Sequence, residues 1–151
     1  MKIYANVDTA KGSFRFELFT SLEPDICNHF KNLVMGKPWI HGQTDQLCKD
    51  PFYEKTTAGP IIEETAVELP ADRWTPLEGK PTFKGPSHTE GAVSLALASK
   101  NLMGGRFFIC LRPMPQYDSI FPVFGRITDN IEAAAALLPG DQIHRIWLEE
   151  F

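Results

Sequence analysis

Within the first eighteen residues the apolar side chains alternate strictly on both sides of a turn. Ile3, Ala5 and Val7 share one parity, Thr9-Ala10-Lys11-Gly12 interrupts, and Phe14, Phe16 and Leu18 share a parity again. Successive side chains of an extended chain point to opposite faces, so residues of one parity line one face. Two such runs around a turn predict a β-hairpin with one apolar face. Arg15 and Glu17 point the other way.

A helix follows. Pro24 suits a first helical turn, and Glu23 and Asp25 favour the positive end of the helix dipole. Ile26, Phe30, Leu33 and Val34 fall at i, i+4, i+7 and i+8, one face of a 3.6-residue period, and Gly36 and Pro38 end the run. Residues 37 to 90 are loop-rich: six of the twelve prolines lie between Pro51 and Pro86. Only Glu54 to Thr57 and Pro60 to Glu63 look strand-like there. Trp39, Phe52, Trp74 and Phe83 give this stretch apolar anchors, which a polar linker would lack. Strands return at Ala92 to Ala98, with Val93, Leu95 and Leu97 on one side and the small Ala92, Ser94 and Ala96 on the other. Phe107 to Leu111, Val123 to Ile127 and Ile143 to Leu148 are further strands. Asp129 is expected to cap a helix over Ile131 to Leu138, with Ile131, Ala134, Ala135 and Leu138 as its buried stripe.

Helices this few and far apart exclude an alternating βαβ pattern. The order fits a mainly β fold: an antiparallel sheet closed into a barrel, with two helices covering its openings. Closure also removes exposed strand edges. The length of 151 residues predicts one domain over 1–151.

The formal net charge of −4 speaks against a nucleic-acid partner, because phosphate binding needs a basic face. No apolar run approaches the ~20 residues of a membrane span, and Asn6 and Asp8 interrupt any signal-peptide core. Cys27, Cys48 and Cys110 form no CxxC pair and read as reduced thiols, which predicts a cytoplasmic protein. His29, His41, His88 and His144 are scattered and form no metal pair at helical spacing, so no metal is expected. They read as surface or hydrogen-bonded side chains. Asp118, Asp129 and Asp141 read as turn and cap residues. Phosphate-loop, dinucleotide-binding, zincin, EF-hand and GxSxG patterns are absent.

Five segments are distinctive in order and spacing. They are Phe14-Arg15-Phe16-Glu17-Leu18-Phe19 with Glu23-Pro24; Cys27-Asn28-His29-Phe30-Lys31-Asn32-Leu33; Gly91-Ala92-Val93-Ser94-Leu95-Ala96; Gly104-Gly105-Arg106-Phe107-Phe108-Ile109-Cys110; and Phe121-Pro122-Val123-Phe124-Gly125-Arg126-Ile127. Together they resemble the cyclophilin family of peptidyl-prolyl isomerases, except from about Met35 to Pro86, where the match is poor. The resemblance implies a cyclophilin-like closed eight-stranded antiparallel barrel with a helix at each end. It implies a proline-containing peptide or protein segment as partner, and no cofactor.

In that family an arginine in a Phe-His-Arg run hydrogen-bonds the prolyl nitrogen and weakens the amide resonance behind the rotation barrier. Two registers fit the corresponding stretch here. Matching Phe52 to the family phenylalanine puts Glu54 at the arginine. The gapless register places Tyr53, Glu54 and Lys55 on Phe-His-Arg, Ile61 on a methionine and Glu63 on a glutamine; it keeps a cation and is preferred. Lys55 lacks the planar fork of arginine. Arg106 stands where the family has a glutamine and is the other candidate cation. Phe108 matches the proline-pocket phenylalanine. Gln116 replaces a tryptophan, Tyr117 a leucine, Phe121 a histidine, and Leu97 a backbone-binding asparagine. Ile61, Phe108, Tyr117 and Phe121 thus keep an apolar socket, while most polar groups that hold the peptide are replaced.

Two functions are therefore expected to compete. One is a peptidyl-prolyl isomerase of reduced efficiency, with Lys55 or Arg106 as its cation. The other is a non-catalytic protein-interaction module on the same fold. With Lys55 and Gln116 at positions through which cyclosporin binds many cyclophilins, weak or absent cyclosporin binding is expected. Met103 and Met114, which flank the site, read as gap fillers.

Overall fold

The computed structural model describes the chain except residues 1, 60, 63–65, 71–72, 78 and 100–101; for 61–62, 97–99 and 102–103 it describes the backbone alone. The hairpin forms as the alternation requires. β1 (Ile3–Thr9) and β2 (Gly12–Leu18) pair from Ile3 opposite Leu18 to Thr9 opposite Gly12. The turn closes on Gly12 at φ 114, a backbone region open chiefly to glycine. Ala5, Val7, Phe14, Phe16 and Leu18 are all buried.

Helix α1 (Pro24–Val34) carries proline in its first turn and buries Ile26, Cys27, His29, Phe30 and Leu33. Glu23 precedes it but makes no side-chain cap. Its carboxylate is fully buried and instead accepts the amides of Thr82, at 2.8 Å, and Lys84, at 2.9 Å. The middle of the chain is built from five short strands: β3 (Trp39–Ile40), β4 (Leu47–Cys48), β5 (Thr56–Thr57), β6 (Ile61–Ile62) and β7 (Ala66–Leu69). β3 and β4 form a separate ribbon. β8 (Ala92–Ser99), β9 (Leu102–Cys110), β10 (Val123–Asp129), α2 (Ile131–Ala135) and β11 (Gln142–Glu150) complete the fold.

The main sheet is antiparallel, in the order β5-β11-β1-β2-β10-β8-β9-β7-β6. Its two ends, β5 and β6, are parts of one stretch, separated by residues 58–60. Ala58 donates to Asp141 O beside β11 at 2.8 Å, and Gly59 donates to Glu68 O on β7, also at 2.8 Å. The sheet thus meets itself. With β5 and β6 taken as halves of one strand, the architecture is a nearly closed eight-stranded barrel with two helices. Phe16, Phe30, Phe107 and Phe124 pack inside, their ring centroids 5.6–6.4 Å apart.

Several sequence expectations need correction. The strand expected at Glu54 to Thr57 is only Thr56–Thr57; Lys55 lies in the preceding turn at φ 56. The piece expected at Pro60 to Glu63 is Ile61–Ile62, and Glu63 lies outside the described residues. β7 was not anticipated. The second helix stops at Ala135 instead of Leu138. Leu137 donates to Ala134 O, tightening the last turn, and Leu138 donates to the Asp141 carboxylate. Leu138 also precedes Pro139, which disfavours helical backbone there. Ala133, Ala134 and Leu137 are buried, whereas Ala135 and Leu138 are exposed. Asp129 ends β10, and the cap position falls to Asn130, whose side chain donates to Ser13 O at 2.7 Å.

Candidate active site

A second apolar cluster lies apart from the barrel core. It contains Ala66 of β7, Ala92 and Ala96 of β8, Phe108 and Cys110 of β9, Met114, and Val123 of β10, with Phe19, Tyr117 and Phe121 half-buried against it. Strand alternation explains the division. Phe107 and Ile109 point into the barrel, so Phe108 and Cys110 point out. The small side chains of β8 make this outer face shallow, and the loop between β9 and β10 folds over it. That loop includes a single 3-10 turn, Pro115–Tyr117. Met114 is buried and fills the space beneath the turn.

Phe108, Tyr117 and Phe121 meet edge to face. Phe108 and Phe121 lie 5.4 Å apart at 84°, Phe108 and Tyr117 5.7 Å at 80°, and Tyr117 and Phe121 5.2 Å at 88°. Such T-shaped contacts place a positive ring edge against a negative face. The result is an aromatic socket with one nearly buried wall, Phe108, and two walls half open to solvent.

Arg106 lies two residues before Phe108 on β9 and therefore shares its face. Its Nη2 is 3.2 Å from Glu68 Oε2 on β7, where Glu68 sits opposite Phe108 in the strand register. Both side chains are largely buried. Burial pushes the Glu68 carboxyl above its ordinary range, and the Arg106 charge pulls it back. Arg106 Nε has no hydrogen-bond partner among the described residues.

The structure brings Phe108, Tyr117 and Phe121 together and places Arg106 two residues before Phe108 on β9. Gln116 is exposed on the 3-10 turn. Lys55 is exposed, and its backbone amide donates to His144 O of β11 at 3.3 Å. Phe52 and Tyr53 before it are core residues, Tyr53 donating its hydroxyl to Gly105 O at 2.6 Å. Ile61 pairs with Val67, a barrel-core residue, whereas Ile62 pairs with Ala66 of the outer cluster. Leu97 is described by its backbone only, on β8 opposite Met103.

Sequence reasoning passed over two groups beside the socket, His88 and Asp118. His88 is buried against Phe108 and bonded to the Asp118 carboxylate. The only sequence signal was a histidine in a loop ending just before Gly91. Phe83, Ser87, His88, Asp118 and Phe121 also line a small cavity of about 190 Å³. Among the described residues no group of histidine, cysteine and carboxylate side chains is arranged to hold a metal, and no helix is long and apolar enough to cross a membrane.

A nearly closed eight-stranded antiparallel barrel with two helices is the fold of the cyclophilin-like barrels. The comparisons place the chain among them. Residues 4–143 match the family model for cyclophilin-type peptidyl-prolyl cis-trans isomerases, so the chain belongs to that family. A peptidyl-prolyl cis-trans isomerase of Synechococcus elongatus is 29% identical over 92% of this chain and 91% of its own length. A peptidyl-prolyl cis-trans isomerase-like 1 protein of Gibberella zeae is 29% identical over 83% of this chain and 75% of its own. The crystal structure of a cyclophilin-type isomerase of Cryptosporidium parvum superposes with a TM-score of 0.73 at 18% identity, covering 100% of this chain and 99% of that one. A second structure of that isomerase, determined in the presence of the dipeptide Ala-Pro, gives 0.72 at 21% identity, with 98% and 99% covered.

Proposed function

We propose that the chain is a peptidyl-prolyl cis-trans isomerase that receives a proline ring in the Phe108–Tyr117–Phe121 socket and uses Arg106 as its cation. The observation that carries this reading is the shared strand face: an arginine held by a carboxylate lies one pleat from the buried wall of the socket. The reaction makes and breaks no covalent bond. The barrier to rotation is the amide's partial double bond, about 18–20 kcal/mol. As the bond twists, the nitrogen lone pair localises and becomes a hydrogen-bond acceptor. A guanidinium N–H aimed at it stabilises the twisted state more than the planar one, and that difference accelerates rotation. The apolar socket anchors the ring while the acyl side turns. The partner is a proline-containing peptide segment, a reading supported by the Cryptosporidium parvum structure determined in the presence of Ala-Pro.

Lys55 is the weaker candidate for the cation, because it lies in the turn before β5 and not on the strand that carries Phe108, and its stem is flexible. Glu63 and Leu97 stand outside the described side chains, so the proposal does not use them. We extend it to a cytoplasmic location, which the free thiols of Cys27, Cys48 and Cys110 support, and to a protein without a nucleic-acid partner, in keeping with the net charge of −4.

Exchange NMR on a short Ala-Pro peptide at high protein concentration tests the reading. Turnover in the wild type that falls by about two to three decades in Arg106→Ala, and survives in Lys55→Ala, is the expected result. The reverse pattern would move the cation to Lys55. Absence of exchange in the wild type would leave a non-catalytic interaction module.

A further inference from the structure

His88 is 2% exposed and stands directly behind the socket. Its ring lies parallel to that of Phe108, 9° between planes and 5.9 Å between centroids. It meets Tyr117 edge to face at 6.0 Å and 82°. Both ring nitrogens are engaged: Nδ1 is 2.8 Å from Asp118 Oδ1, and Nε2 is 2.9 Å from Ser94 Oγ. The His88 amide donates to Asp118 Oδ1 at 2.8 Å, and its carbonyl accepts the Met114 amide at 2.7 Å. Ser94 Oγ also lies 3.1 Å from Pro122 O. The other Asp118 oxygen accepts the Ser87 hydroxyl. The buried ring is thus tied to β8 through Ser94 and to the β9–β10 loop through Asp118, and the His88 carbonyl adds a backbone bond to Met114 in the same loop. Through Ser94 it also reaches Pro122, beside Phe121.

We propose that His88 is a positioning residue of the proline socket: held at both nitrogens, it fixes the plane of Phe108 and the edge of Tyr117, and so sets the affinity for the prolyl ring. The inference deepens the isomerase reading and rests on it. A ring bonded at only one edge can rock about that bond. A ring bonded at both nitrogens cannot, and a phenyl ring lying parallel and offset beside it is restrained in turn. Ordering the socket before the ligand arrives removes an entropic cost of binding. The reaction's charge distribution does not change, because His88 touches the wall and not the reacting amide. The contribution is therefore common to the planar and twisted substrate. It should appear in KM and leave kcat nearly alone.

The test is exchange NMR at increasing Ala-Pro peptide concentration, giving kcat and KM separately for wild type, His88→Gln, Asp118→Asn and Arg106→Ala, with thermal midpoints for each. His88→Gln keeps a hydrogen-bonding group but no ring to stack; Asp118→Asn keeps the ring and weakens its hold. Both are expected to raise KM about two- to tenfold with kcat within about twofold, while Arg106→Ala lowers kcat. Folded variants with unchanged KM, or with a loss confined to kcat, would overturn the inference and leave the isomerase reading standing. Wild type without exchange would remove both.

Discussion

Asp118 shows how little of a residue's duty its sequence neighbourhood reveals. As one aspartate in a loop it reads as a turn former, yet it organises the rear of the socket. The Ser87 hydroxyl, the His88 amide and the His88 ring hold its carboxyl at about 2, against an ordinary value of 3.8. All three favour the ionised form. Because the folded value lies below the unfolded one, the resulting stabilisation is complete above about pH 4 and disappears as pH falls through about 2. Thermal midpoints of wild type should therefore drop more steeply between those values than midpoints of Asp118→Asn; parallel curves would count against this assignment. Cyclosporin binding also belongs at this scale. Gln116 is an exposed amide on the 3-10 turn and Lys55 is exposed beside β11, and the resemblance gives those positions the residues through which many cyclophilins bind the drug. Calorimetry should show weak binding or none, and a nanomolar affinity would mean that other residues serve those roles. Phe108 could be grouped with Tyr117 and Phe121 from the sequence because its motif neighbours stand in unbroken register, and the three rings do meet. Glu68 could not, since its pairing with Arg106 spans thirty-eight residues.

The elements were most legible where their periodicity was longest. The β1–β2 hairpin and α1 match their expected limits closely, because alternation and the 3.6-residue period each repeat several times there. The five strands of the middle contain two to four residues each, too few to show a period. Three of them form where neighbouring strands offer backbone groups to pair with: β7 along β9, β6 along β7, and β5 along β11. The same dependence on neighbours decides Gly125. It pairs with Leu18 on one side and Val93 on the other, and a Cβ there would stand 2.6 Å from Glu17 O and 3.1 Å from Phe16 Cδ2. Gly125→Ala should destabilise the protein by about 1–3 kcal/mol, read as a lower urea midpoint with unchanged slope. A midpoint equal to that of wild type would show that the two strands can part at no cost.

At the scale of the whole molecule, long-range contacts join the irregular middle to the barrel. Glu23 accepts Thr82 and Lys84 amides, Asp25 accepts the Lys80 amide at 3.1 Å, and the Thr82 hydroxyl donates to Leu22 O at 2.8 Å. These bonds fasten residues 80–84 to the start of α1, and His88 follows four residues later. Glu23→Ala should free the Thr82 and Lys84 amides to exchange with solvent hydrogen while the β1 and β2 amides stay protected. Protection that persists at Thr82 and Lys84 would mean that other contacts hold the segment. The sequence by itself determined the mainly β class, the first hairpin, the first helix and, through motifs in register, the family. Each is encoded within a short span, as a period or a run of neighbours that survives wherever the span is placed. The tertiary structure alone decided the closure of the sheet on one broken strand, the pairing of Arg106 with Glu68, and the clamp of Asp118 and Ser94 on His88. Those features join residues far apart in the chain by bonds only a few ångströms long, and no local pattern specifies which distant donor meets which acceptor.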